Sequence, residues 1–363
     1  MPGRVRVGCA LTLAALVITG CGQGLPMWST RTVPSGINVL NDVVCPSVTH
    51  CYAVGADGTA GLGTVIGSSD GGNRWQLLMT TPQVQLGTIA CPDSSTCVVA
   101  GEANPRGGIE QPEAFLTTDH GAHWSSKNLP AVGGVDGAAC SSVNVCLIIG
   151  TVAIDRTTNG GMTWVTERTR PDLVAINSVA CPTPSFCIVG GTGSSPDLPG
   201  PSVVSVSKDA GTTWSKAVVV GGPIHAGAGN VIESALGAIS CSGTQSCVGL
   251  IENPEAASFG TGSPTVTSDG GGKWTRGSIT VGQAISCIES LCVSVGGHWQ
   301  GPTTNLRNLV GAAFVSTDGG VNWSPSRIPT RRILTAVSCP SSTHCVAVGG
   351  DVLEQPAVIL TDS

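Results

Sequence analysis

Lysine is nearly missing from this chain: of 363 residues only four are Lys, within a total of 17 Lys and Arg set against 23 Asp and Glu. Aromatic residues are scarce too, with one Tyr, four Phe and eight Trp. Coiled coils and bundles of amphipathic helices need abundant Glu, Lys and Leu, so this composition excludes them. At 11% charged and 41% hydrophobic residues the chain is no disordered polyelectrolyte either. A formal charge of -6 argues against nucleic acid as a partner. No HExxH helix, phosphate-binding glycine loop or serine nucleophile elbow occurs. What is plentiful is Gly, 51 residues, and Cys, 16. The chain is therefore β-rich or loop-rich, and its length alone suggests two or three domains. A core of this size folds without disulfides, so the cysteines need their own explanation.

Residues 1–20 have the layout of an export signal: Arg4 and Arg6, an apolar run of about ten residues, then small residues before Cys21. The run is too short for a stable membrane span. Ile18-Thr19-Gly20-Cys21 resembles the bacterial lipobox, which implies cleavage before Cys21 and lipidation of that residue. An ordinary signal with an incidental Cys21 is the competing reading. The expected layout is a signal at 1–20, a short lipidated linker at 21–26 and one domain at 27–363. That places the protein in the bacterial envelope, lipid-anchored on the extracytoplasmic side of a membrane, where disulfides persist. With Cys9 removed and Cys21 acylated, fourteen cysteines remain.

These form seven close pairs: Cys45 with Cys51, Cys91 with Cys97, Cys140 with Cys146, Cys181 with Cys187, Cys241 with Cys247, Cys287 with Cys292, and Cys339 with Cys345. Each pair is preceded by a short stretch (VV, IA, AA, VA, IS, IS, VS) and most are followed by an apolar one such as YAVG or VVAG. Apolar run, polar loop and second β-branched run read as a hairpin, which each pair would staple. Zinc is the alternative, but thiolate sites combine two shorter knuckles, and an exported chain meets oxidising conditions. A loop of this size gives about 2 kcal/mol per bridge in the chain-entropy picture.

A second motif follows six of the hairpins: SSDGGNRW from Ser68, TTDHGAHW from Thr117, TTNGGMTW from Thr157, SKDAGTTW from Ser207, TSDGGGKW from Thr267 and STDGGVNW from Ser316. All fit [S/T]-x-[D/N]-x-G-x-x-W and resemble the Asp-box, or BNR repeat, of sialidases, sortilin-like proteins, some xyloglucan hydrolases and the photosystem II assembly factor family. The carboxylates of Asp70, Asp119, Asp209, Asp269 and Asp318 are expected to accept turn amides, with Gly supplying positive φ. Calcium is a poor fit, because each box offers one carboxylate and the third has Asn159 instead. The box tryptophans, Trp75, Trp124, Trp164, Trp214, Trp274 and Trp323, should cover the turns.

From Trp28 to Trp323 the tryptophans recur about every 49 residues, a propeller-blade period. The expected fold is all-β: a seven-bladed β-propeller of four-stranded blades with one disulfide per blade. The last repeat, from about Leu334, stops near Asp362, inside what would be its own box. Trp28-Ser-Thr-Arg supplies the missing Trp strand, so the N-terminal strand should close the last blade.

That connectivity puts hairpins and boxes on one face and the loops between second and third strands on the other. The box face should lie towards the membrane through Cys21, with the opposite face open to a partner. Long loops at 102–113, 191–201, 251–263 and 296–310, and an extended connection from Gly221, stand out there. His298, Trp299, Arg307, Arg331 and Arg332, with Glu252 and Glu255, are the candidate ligand residues, expected at the channel mouth and suited to an acidic or sugar ligand. Trp299 folded over its own loop is the bland alternative.

An enzyme reading meets an obstacle. The sialidase resemblance implies a Tyr nucleophile, three Arg and an Asp acid. The single tyrosine, Tyr52, occupies a core-strand position filled by Val98, Leu147, Ile188, Val248, Val293 and Val346 in other repeats. Arg327-Ile328-Pro329 falls after the sixth box rather than before the first. A two-carboxylate hydrolase or lyase could draw on Glu102, Glu110, Glu113, Glu233, Glu252 or Glu255. His50 and His344, each beside a bridge Cys, read as exposed. The expectation is a monomeric binding or scaffold module for an envelope protein or glycan, without cofactor or metal. The alternative is a carbohydrate-active enzyme on an extracellular polysaccharide.

Overall fold

A computed structural model describes residues 27–56, 62–103, 111–130, 134–168, 172–194, 200–221, 224–225, 231–232, 235–252, 261–277, 279–300, 308–350 and 357–362. Cys21 and the signal lie outside the described residues, as do Glu110, Glu233, Glu255 and Arg307.

Seven antiparallel sheets make a ring of seven blades, six with their strands in chain order and the seventh completed by the N-terminal strand. Blade 1 is typical, with strands Val39–Val44, Cys51–Ala56, Gly63–Ser68 and Gln76–Thr81. Blade 6 consists of Ala284–Ile288, Leu291–Trp299, Leu309–Ser316 and a short outer strand, Ser324–Ser326. In blade 5 the third strand pairs with the outer strand and also with Val281–Gly282. The first strands of successive blades contact one another around the ring, including blade 7 with blade 1. They are therefore the innermost strands. One closed ring replaces the two or three domains suggested by length.

The second strands are buried, Cys146–Gly150 and Cys187–Gly193 along their whole length and others, such as Cys247–Glu252, up to the end away from the cysteine. Each lies in a sheet covered on both faces by neighbouring blades, which is why it reads as an unbroken apolar run. Among the described residues the core comprises seven clusters, one at each blade junction; Trp28 between blades 6 and 7 and Trp323 between blades 5 and 6 belong to theirs, and the other five repeat tryptophans, partly buried, pack against theirs. All seven cysteine pairs are bonded, one per blade.

Inner strands carry a recurrent register shift, as between Leu40 and Asp42, Leu86 and Thr88, Leu236 and Ala238, and Leu334 and Ala336. A bulge re-aims the side chain of its extra residue. Asn41 donates to the Leu86 carbonyl of the next blade at 2.7 Å, and Thr335 to that of Leu40 at 2.6 Å. Gln283, at the same distance from its cysteine, donates to Leu334 at 3.3 Å. Opposite the bulges, a Cβ on Gly55 or Gly101 would lie 2.0 Å from a backbone carbonyl, so only glycine fits. The stretches IS, IS and VS acquire a meaning as well. Ser240, Ser286 and Ser338 accept the amides of Cys287, Cys339 and Cys45 in the next blade at 2.9, 3.0 and 2.9 Å.

The N-terminal strand closes the ring: Trp28–Arg31 pairs with Val358–Asp362. Arg31 donates to the Thr361 hydroxyl at 2.7 Å, and the Trp28 indole to Ser326 at 3.2 Å. The register corrects one expectation. Cys51, Cys97 and Cys146 pair with Ser68, Thr117 and Thr157, the opening residues of their boxes. Val346 pairs with Thr361, which aligns Asp362 with Cys345. Asp362 therefore occupies the position of the opening Ser or Thr, not that of the box carboxylate, and it accepts the Cys345 amide. Burial pushes the pKa of this carboxylate up.

Candidate functional site

The box turns are built alike. The opening Ser or Thr donates to the carboxylate or, in the third box, to the Asn159 oxygen, at 2.7–3.0 Å. The same hydroxyl accepts the amide of the fifth-position glycine at 2.8–3.2 Å. The seventh-position amide closes the turn on that Asp or Asn at 2.8–2.9 Å. Asn159 thus keeps every backbone bond without the charge.

Those bonds favour the ionised carboxylate. The His123 amide and ring hold Asp119 at about 2, and Thr213, through its hydroxyl and amide, holds Asp209 at about 2. The Lys273 amide lowers Asp269. Burial works against the shift at Asp70 and Asp318, but the Arg74 and Asn322 amides, with the neighbouring hydroxyls, outweigh it.

Both the fourth and fifth residues of every box have positive φ, including His120 at 60° and Ala210 at 57°. The fourth amide bonds the hairpin of its own blade, as Gly71 does to Thr49 at 2.8 Å and His120 to Ser95 at 3.1 Å. The fifth residue faces the preceding blade. A Cβ at Gly161 would meet Leu116 at 1.8 Å, at Gly320 Val248 at 2.5 Å, and at Gly72 Thr361 at 3.0 Å across the closure. The indoles of Trp75, Trp124, Trp274 and Trp323 donate to the fifth-residue carbonyl at 2.8–3.1 Å, whereas those of Trp164 and Trp214 have no partner. The box is a joint between blades as well as a turn.

The face opposite the boxes carries the candidate ligand residues, and the fold separates them. His298 pairs with Val310 and Trp299 with Leu309, so alternation sends His298 and Trp299 to opposite sides of blade 6. The strands run to Trp299 and resume at Leu309, which shortens the loop expected at 296–310. The Trp299 indole nitrogen is buried without a hydrogen-bond partner. Arg332 turns towards blade 7 and donates to the Ala357 carbonyl at 3.0 Å. On blade 5 the Glu252 carboxyl folds back over Gly237; burial of that end pushes its pKa up, although the residue as a whole remains exposed.

His298 and Arg331 do come together, in a cleft of about 480 Å³ that has Gln300 at its polar end and Val310, Phe314, Pro325 and Ile328 in its walls. The short outer strand creates it. Ser324–Ser326 pairs only with Ala313–Val315, leaving the rest of the third strand's edge to the link into blade 7. That link approaches at Gly311, whose amide donates to the Arg331 carbonyl at 2.8 Å and whose Cβ would lie 1.9 Å from the Arg332 carbonyl. No residue of the innermost strand lines the cleft, so it opens on the outer part of blade 6 rather than at the channel mouth. Arg331 is exposed and donates to Gln300 at 3.3 Å.

The surroundings are one-sided in charge. From Gln283 to Gly350 the sequence holds four Arg and only two carboxylates, Glu289 and Asp318. Both carboxylates belong to the hairpin and box face, whereas Arg327, Arg331 and Arg332 lie in the link on the other. Blades 2 to 5 present acids on that other face. Glu102 accepts the Val135 amide at 2.7 Å, and Asp136 accepts Thr151 at 3.4 Å; burial first and Glu102 second push Asp136 up. Neither acid lines the blade 6 cleft. A second cleft of about 320 Å³, between the second and third boxes, has a single carboxylate, Asp119, bound to His123 at 2.6 Å. Tyr52 is buried between blades 1 and 2 and donates to the Ser94 carbonyl at 2.5 Å.

Comparison with known proteins agrees with this geometry. The BNR/Asp-box repeat family matches residues 314–325. No curated protein matches the sequence. Among solved structures, YCF48 bound to D1 peptide is similar at 15% identity and a TM-score of 0.57, over 93% of this chain and 99% of that one. U3-55K is similar at 11% identity and a TM-score of 0.60, over 94% and 100%. The GH74 enzyme of Niastella koreensis is similar at 13% identity and a TM-score of 0.57, over 89% of this chain and 52% of that one. At such identities the likeness is one of fold. That fold carries binding and catalysis alike.

Proposed function

We propose that this Asp-box propeller is a binding module of the bacterial envelope, anchored by a lipid on Cys21, which holds a protein partner at the face opposite its boxes. The observation carrying this reading is the blade 6 cleft, where exposed Arg331 and His298 crown apolar walls in a sector whose non-box side has no described carboxylate. Such a site suits an extended segment with a carboxylate, the guanidinium offering paired donors to the anion. Seven disulfides fit an oxidising extracytoplasmic compartment. A neighbour in fold is recorded with a bound peptide, which supports a peptide-binding use of the same scaffold. Glycoside hydrolysis needs two carboxylates flanking one bond. Neither described cleft is lined by such a pair, so binding is the stronger reading.

Capture from native envelopes by the full-length lipoprotein tests it. Arg331→Glu should deplete the captured protein at least tenfold, while Lys216→Glu, just before the outer strand of blade 4, should leave it unchanged. Equal capture by both variants overturns the assignment, and glycan alone on the wild type would move the ligand class. A mature N-terminus other than an acylated Cys21, read by mass spectrometry, removes the anchor.

A further inference from the structure

We propose that His50 and His120 form a binding site for a divalent transition-metal ion with a preference for imidazole, Cu²⁺ or Zn²⁺, on the box face at the junction of blades 1 and 2. The binding role of blade 6 is separate from it, and neither depends on the other. Four boxes place Gly at the fourth position, as Gly71, Gly160, Gly270 and Gly319, and one places Ala210. His120 holds the same position at a φ of 60°, a conformation that costs a residue with a side chain about 1 kcal/mol. Turn formation therefore does not call for histidine there.

Each ring has a hydrogen-bond partner at Nδ1. Nδ1 of His120 lies 2.9 Å from the Ser94 carbonyl. A carbonyl only accepts, so that nitrogen carries the hydrogen and Nε2 keeps its lone pair. This is the arrangement in which a backbone carbonyl orients a metal-binding imidazole. His50, the residue before Cys51, has Nδ1 at 3.0 Å from the Thr49 hydroxyl, which can donate or accept, and metal binding selects the form in which it accepts and the lone pair stays on Nε2. The ring centroids are 5.4 Å apart, with the planes inclined by 34°. Two imidazoles binding one tetrahedral ion at about 2.0–2.1 Å put their centroids roughly 5 Å apart. Among the described residues no group of three or more His, Cys, Asp or Glu could hold a metal ion. Water would complete the shell, so the site is open and exchangeable. Imidazole ligands suit Cu²⁺ and Zn²⁺ over Ca²⁺ and Mg²⁺, which take oxygen.

Titration of the untagged mature protein with CuCl₂ and ZnCl₂ by calorimetry, beside proton spectra of the histidines during Cu²⁺ addition, tests the site. The expected result is a single saturable event that broadens the His50 and His120 ring signals before the others. His120→Gly restores the commonest fourth-position residue, and His50→Ser introduces the residue that Ser246 supplies at this position in blade 5. Each should weaken binding at least tenfold. The thermal midpoint of His120→Gly should hold or rise, which separates lost ligation from lost fold. His123→Ala and His344→Ala should bind as the wild type does. Undiminished binding by both His120→Gly and His50→Ser, loss only on His123→Ala, or no saturable event overturns the site.

Discussion

At the scale of single residues, the fifth glycine of each box has the clearest physical demand on it. Its positive φ could be met by Asn or Asp at some cost, but the space beside it cannot. Gly161→Ala puts a methyl where Leu116 now sits, whereas a Cβ on Gly319, one residue earlier in its box, meets nothing within 4 Å. Both variants bear the backbone cost of about 1 kcal/mol, and only Gly161→Ala adds about 1–3 kcal/mol of overpacking. Urea denaturation should rank them in that order. The box carboxylates give a second test. Their folded pKa values lie below the unfolded value near 3.9, so their stabilisation is complete above about pH 4 and is lost as the pH falls. For Asp119 and Asp209 the loss runs down to about pH 2. Asp209→Asn, which copies the third box, should flatten the fall in urea midpoint between pH 4 and 2. Asp42, raised by burial, contributes with the opposite sign, so each variant is compared with wild type at the same pH.

At the scale of strands, blades are stitched by side chains that the inner strands offer to their neighbours. Ser240, Ser286 and Ser338 join blades 5, 6, 7 and 1 by accepting a cysteine amide, where Val44, Ala90, Ala139 and Ala180 offer no hydroxyl. Ser338→Ala leaves a partly buried Cys45 amide unpaired and should cost about 1–2 kcal/mol. Ala180→Ser adds a hydroxyl at the corresponding place, and denaturation of the pair shows whether the stitch can be transferred. These stitches were visible in the sequence only as IS, IS and VS before the cysteines. Hairpins and boxes were legible because each is local and recurs with its own turn residues. The blade 6 cleft was not, because a short outer strand, a link to the next blade and a close approach at Gly311 make it. The same distance from sequence explains Trp299. It was grouped with His298 by adjacency, and strand alternation parted them.

At the scale of the whole molecule, the ring sets two unlike faces back to back. One is held by disulfides and box turns; the other carries acids on blades 2 to 5 and arginines beside blade 6. A closed ring holds that pattern, since the first and last strands are paired and the junction of blades 7 and 1 has an apolar core with a repeat tryptophan packed against it, as the other junctions have. A partner meeting the non-box face would be oriented by the charge difference before it reached the cleft. The most direct test places a photo-crosslinking amino acid in the full-length protein at Gln300, beside Arg331, and separately at Val321 in the sixth box, followed by irradiation in native envelopes. The account predicts a discrete crosslinked partner from position 300 that disappears with Arg331→Glu, and none from position 321. The same partner from position 321, or a crosslink at position 300 that survives Arg331→Glu, would contradict it.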